Sequence, residues 1–154
     1  MKELKYVLLL VWMAVCLAPV SLSAREAQKD LNIQQVFLRY GKKKNVTMVE
    51  LSNEMLETYG MTRYKSITIR QDEEALRYTR KCLEADQKGA RKIKEVTDAG
   101  EVVSAYYQLP GTEEDMNRFV LFKVNKKGMI TLVYIEGDLD SDDLITLLFT
   151  KKDF

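Results

Sequence analysis

From residue 91 to residue 137 apolar and polar side chains alternate with a period of two. "RKIKEVTD" (91–98), "EVVSAYYQL" (101–109), "NRFVLFKVN" (117–125) and "MITLVYIEG" (129–137) each read as a β-strand. Turn residues separate them: Asp98-Ala99-Gly100, Pro110-Gly111 with the acidic residues that follow, and Asn125-Lys126-Lys127-Gly128. Connections this short make sequence neighbours antiparallel, so the four strands are expected to form a meander.

Before residue 91 the period is mixed. In "AQKDLNIQQVFLRY" (27–40), Ile33, Val36, Phe37 and Tyr40 share one helical face, and Gly41 follows as a C-terminal cap. "NVTMVEL" (45–51) alternates and is β-branched, hence a short strand. Ser52 then caps a brief helix carrying Met55, Leu56 and Tyr59, which Gly60 stops. "KSITIR" (65–70) is a further strand. Asp72 opens the strongest helix of the chain, "DEEALRYTRKCLEADQK", with Ala75, Leu76, Thr79, Cys82 and Leu83 as its stripe. Its acids lie at the front and Lys88 at the back, as the helix dipole favours. A last short helix covers 141–149. The expected fold is α+β: one domain over 24–154, two-layered, with a largely antiparallel sheet of about five to six strands and helices packed mainly on one face.

The meander is apolar on both sides. One face carries Val103, Ala105, Tyr107, Leu109, Val120, Phe122 and Val124. The other carries Val102, Tyr106, Phe119 and Leu121, broken by Ser104 and Lys123. A solvated face of an antiparallel sheet alternates more cleanly into polar residues, so something covers part of this second face. The cover is either intramolecular, by the 27–40 helix or the C-terminal helix, or a partner: a second copy or another envelope protein. Val102, Tyr106, Phe119 and Leu121 are therefore the candidate interaction face.

Residues 1–24, "MKELKYVLLLVWMAVCLAPVSLSA", change the setting. Lys2 and Lys5 precede an apolar run from Tyr6 to Val20, and Ser21-Leu22-Ser23 places small residues for cleavage after Ser23. That is the pattern of a secretory signal peptide over 1–23, and the run falls short of the roughly 20 residues a spanning helix needs. Val15 before Cys16, and the apolar residues after it, do not suit lipidation at that cysteine. The expected location is the periplasm or cell envelope of a Gram-negative bacterium, with membrane contact only through an uncleaved leader. Losing Lys2, Lys5 and Glu3 takes 24 basic and 23 acidic side chains to 22 of each. A neutral mature chain does not suit a nucleic-acid partner, which needs a basic excess on one face.

The residues that usually carry chemistry are sparse. There is no histidine, which removes Ser-His and Cys-His nucleophile pairs and the commonest zinc ligand. Only Cys82 survives processing, so no internal disulfide forms, and its place among Leu76, Thr79 and Leu83 marks it as core. "YIEGDLDSDDL" (134–144) concentrates acid. Asp138, Asp140 and Asp142 have the spacing of the first three ligands of an EF-hand loop, but Asp143 stands where its glycine belongs and Phe149 where its bidentate glutamate belongs. The same residues suit a helix start: Gly137 closes the strand, Asp140 or Ser141 caps, and Asp142 and Asp143 sit in the first turn. No catalytic residue and no cofactor is assigned.

"FVLFKVNKKGMITLVYIEGDLDSDDLITL" and "VFLRYGKKKNVTMVELSNEML" resemble the C-terminal half and the opening of a domain-of-unknown-function family of small exported proteins in Bacteroidetes-type bacteria. The resemblance implies an envelope location and a fold, and no activity. The functional expectation is a non-enzymatic binding or structural module of the envelope acting through protein–protein contacts. The alternative is a small envelope enzyme or cation-dependent protein using the acids near 138–143.

Overall fold

In a computed structural model of the chain, the described residues are 31–111 and 114–150, the last three in backbone alone. The leader, Cys16 and the first part of the helix expected over 27–40 lie outside them. From Asn32 on the chain forms one compact unit. Its elements run α1 (Ile33–Tyr40), β1 (Val46–Glu50), α2 (Asn53–Thr58), β2 (Met61–Ile69), α3 (Glu73–Asp86), β3 (Arg91–Asp98), β4 (Glu101–Leu109), β5 (Asn117–Val124), β6 (Ile130–Gly137) and α4 (Ser141–Thr150).

All six strands join one antiparallel sheet in the order β1-β2-β6-β5-β4-β3, the α+β architecture expected. The meander β3–β6 forms as its periodicity predicts. Its last strand returns beside β2, with Met61 opposite Gly137 and Ile69 opposite Ile130, so the two halves of the chain share one sheet. Gly137 has a steric reason to be glycine, because a Cβ there would collide with the Gly60 carbonyl and with Met61 Cα.

Register assigns the two faces. Ile67, Leu132, Phe122 and Ala105 form one row across four strands, and all four are buried. α3 lies on this face, where Leu83 meets Ala105, Tyr107 and Phe122 around a shared cleft, and α1 packs against α3. The α1 stripe is as expected, with Ile33, Val36, Phe37 and Tyr40 all buried. On the opposite face, Tyr64, Ile135, Phe119 and Tyr106 form a second core with Leu56 of α2 and Leu144 of α4.

The caps follow the sequence at three sites and depart from it at one. Ser52 Oγ accepts the Met55 N–H, Asp72 Oδ1 accepts the Ala75 N–H at 3.0 Å, and Asp140 Oδ1 accepts the Asp143 N–H at 2.8 Å. α3, however, ends at Asp86, so Lys88 lies beyond it and the last turn holds no basic residue. Asp86 is buried there and its carboxylate reaches α1, accepting from Asn32 N, Asn32 Nδ2 and Ile33 N at 2.8–2.9 Å. The short side chain of Asn32 makes no cap of its own for α1. An acid from another helix satisfies those N–H groups instead, and the positive end of the α1 dipole stabilises its charge.

Candidate functional site

The acidic turn is built around a helix start. Asp140 caps α4 through its side chain, and its carbonyl accepts the Leu144 N–H at 3.1 Å. The Asp138 N–H donates to the Gly60 carbonyl, tying the turn to the end of α2. Asp138, Asp140 and Asp142 are all exposed. Among the described residues no group of three or more acidic, cysteine or histidine side chains is arranged to hold a metal ion.

The second sheet face is covered by the chain itself at one end. Phe119 is fully buried and Tyr106 nearly so, both within the core that α2 and α4 close, and Leu121 packs partly buried against that core. Val102 is half-buried, and its carbonyl accepts from Arg80 Nη2 at 3.0 Å. The four residues therefore do not form one accessible patch. Away from α2 and α4 this face turns polar: Ser104, Lys123, Thr131, Thr68 and Thr47 follow one another across neighbouring strands.

On the other face, α3 and the β3–β4 hairpin enclose a cleft of about 320 Å³. Four of its five charged side chains are paired with one another. Arg80 Nη1 lies 3.1 Å from Glu101 Oε2. Glu95 accepts the Tyr107 hydroxyl at 2.6 Å and Lys92 Nζ at 3.2 Å. The Tyr107 bond holds the Glu95 carboxyl below the usual glutamate range, against the opposing effect of burial, and Lys92 adds to the lowering. Burial, and then Glu95, push the Tyr107 phenol well above its ordinary value. The pair therefore holds Glu95 as the carboxylate and Tyr107 as the phenol at neutral pH. The cleft contains no serine, threonine or cysteine. Cys82 is buried elsewhere on α3, and burial raises its thiol pKa, the reverse of what a reactive cysteine needs.

The two edges of the sheet differ. β3 carries Arg91, Lys92, Lys94, Glu95 and Asp98 in eight residues and is broken by two register shifts. Charges and bulges of this kind discourage edge-to-edge pairing. β1, "VTMVE", has one charge, at its last position, and an unbroken register against β2. Met48 and Val49 on β1 are 39% and 42% exposed. Of the five exposed large apolar side chains among the described residues, four (Leu38, Met48, Val49 and Met55) lie on β1 or on the helices flanking it in sequence. Sequence reading identified β1 as a strand but not as an edge, because edge position depends on pairings far along the chain. Its shortage of charge beside the lysine-rich β3 was the available signal.

A model of a family of unknown function, DUF6108, matches residues 20–148. The chain belongs to this family. The DUF6108 match takes in all six strands and the start of α4, so the sheet, the cleft and both edges lie within it. No curated protein matches the chain. No solved structure matches it either.

Proposed function

We propose that this DUF6108 protein is an exported, non-enzymatic binding or structural module of the cell envelope in a Bacteroidetes-type bacterium, working through protein–protein contacts at the β1 edge of its sheet. One observation carries the reading: the edge strand with one charge and no bulge exposes Met48 and Val49, and the helices flanking it in sequence expose Leu38 and Met55. An unguarded edge offers backbone N–H and C=O groups to an added strand, and neighbouring apolar side chains supply buried area. The export half of the reading rests on the leader pattern of residues 1–23. No described helix is long and apolar enough to cross a membrane. The non-enzymatic half rests on a chain without histidine and on a cleft where Arg80 pairs with Glu101 and Glu95 with Tyr107 and Lys92.

The test uses the full chain expressed with its leader. Fractionation and N-terminal sequencing are expected to find an envelope protein beginning at Ala24. A photo-crosslinking residue at Val49 is expected to give protein adducts in cells, and the same residue at Val96, equally exposed but on β3, is expected to give none. A cytoplasmic protein with its leader intact, or equal crosslinking at both edges, would overturn the proposal.

A further inference from the structure

We infer that the β1 edge pairs with the β1 edge of a second copy, the two strands running antiparallel across a two-fold axis at Met48. The inference rests on the protein-contact reading above and names the partner. It draws on the distribution of charge and on the hydrogen bonds the edge leaves open.

Charge is polarised along β1. Lys42, Lys43 and Lys44 lead into the strand, and Glu50 and Glu54 lie at its exit, all of them exposed. Locally they are only loosely held: Glu50 lies 3.8 Å from Lys65, and Lys43 Nζ sits 4.7 Å over the Tyr40 ring. A parallel copy would set lysines against lysines and glutamates against glutamates. An antiparallel copy sets each basic entrance beside the partner's acidic exit, at both ends of the contact. Opposite charges across paired strands stabilise, and like charges destabilise. The strand is thus complementary to its own reverse.

The backbone decides which groups a register can use. Arg70 N–H donates to the Asn45 carbonyl, which marks Asn45 and Arg70 as a hydrogen-bonded pair. Antiparallel ladders alternate, so Thr47 and Val49 also turn their amide groups toward β2, while Val46, Met48 and Glu50 turn theirs away. The Val46 N–H is already donated to Lys43 O in the preceding turn. Among the described residues, the groups left open to a partner are the Val46 carbonyl and both backbone groups of Met48 and Glu50. An axis at Met48 uses all of them except the Glu50 carbonyl, which faces the donated Val46 N–H. The two Met48 residues exchange N–H···O bonds, and each Val46 carbonyl receives the partner's Glu50 N–H. At the Met48 axis the two Met48 side chains meet on the α3 face, and Thr47 meets the partner's Val49 on the other, so the exposed apolar groups of the strand are covered.

Size-exclusion chromatography with light scattering on the full chain is expected to give the mass of two chains. Met48→Pro removes an N–H that points away from β2, so it leaves the β1–β2 ladder bonded and is expected to give single chains. Glu50→Lys places like charges together and is expected to raise the dissociation constant at least about tenfold, and Lys44→Glu added to it restores the pair. The charge variants keep the test valid should the proline variant misfold, which circular dichroism reports. A wild-type chain of single mass at every soluble concentration overturns the inference, as does a dimer that survives both Met48→Pro and Glu50→Lys. A single-mass chain whose Val49 crosslinks to a different protein in cells overturns the self-pairing alone. One that crosslinks to nothing overturns the contact reading as well.

Discussion

The Asp86 carboxylate accepts the backbone N–H of Ile33 at 2.8 Å, with its other oxygen taking the N–H and the Nδ2 of Asn32. This bond joins the last turn of α3 to the first turn of α1. The end of α3 is the wrong place for a carboxylate by its own dipole and the right place by the dipole of α1. Asp86→Asn keeps the shape, but turns a donor toward donors and loses the charge. It is expected to lower stability by about 2 kcal/mol, in the range for hydrogen bonds to charged groups. Urea unfolding checks this: the midpoint should fall with the slope unchanged.

The β3–β4 hairpin turns on Ala99 and Gly100, both with positive φ, at 52° and 81°. Two left-handed residues in a two-residue loop make the turn that suits strand twist, and asparagine followed by glycine fills it best. Alanine pays for the left-handed region with a Cβ clash of about 1–2 kcal/mol. Ala99→Asn is therefore expected to raise stability by about 1 kcal/mol, and Ala99→Val to lower it, both read from denaturant midpoints.

Local pattern made most of the elements legible and little of their assembly. The α1 stripe, the meander strands and the caps at Ser52, Asp72 and Asp140 depend on residues within a few positions of one another, and each formed where its spacing indicated. The pairing of β6 with β2 depends on residues such as Ile67 and Leu132, far apart in sequence, and no local period encodes it. The same gap hid Asp86, whose partners are 53 and 54 positions away. It also hid the Glu95–Tyr107 bond, which exists because bulged β3 lies beside β4. The cover over the candidate face was hidden for a related reason. Alternation showed that Tyr106 and Phe119 needed cover, and only the fold shows that α2 and α4 provide it.

Two tyrosine–glutamate pairs, Tyr107–Glu95 at 2.6 Å and Tyr134–Glu136 at 2.9 Å, bound the pH range of stability. Glu95 is held below its unfolded value, so its contribution is present above the ordinary glutamate pKa of about 4.3 and is lost as pH falls through the folded value. Tyr134 is pushed up to about 12 by burial and then by Glu136. Its contribution is present below the ordinary tyrosine pKa of about 10 and is lost as pH rises toward the folded value. Absorbance titration of the phenols is expected to show Tyr134 and Tyr107 ionising late, together with alkaline unfolding. Tyr107→Phe should be destabilised at neutral pH, with the gap from wild type closing below about pH 4.3.

The turn at 137–144 admits a test that separates a helix cap from a cation site. If Asp140 acts by receiving the Asp143 N–H at 2.8 Å, Asp140→Ala costs about 1 kcal/mol, the usual cost of losing a capping side chain. Asp138→Asn should stay within about 0.5 kcal/mol, since only the backbone of Asp138 is engaged, with Gly60. Asp142→Asn loses a charge near the start of α4, about 0.3–1 kcal/mol, and that loss shrinks in high salt. Under this account calorimetric titration with calcium gives no saturable heat, and calcium leaves the unfolding midpoint of wild type unmoved. A cation site predicts the opposite on every count: saturable heat, a midpoint that rises with calcium, and loss of both in Asp138→Asn and Asp142→Asn, because ligand binding to the folded state must appear as stability. The variants that matter to a cation are those that matter least to the cap, so the two accounts cannot both fit one set of measurements.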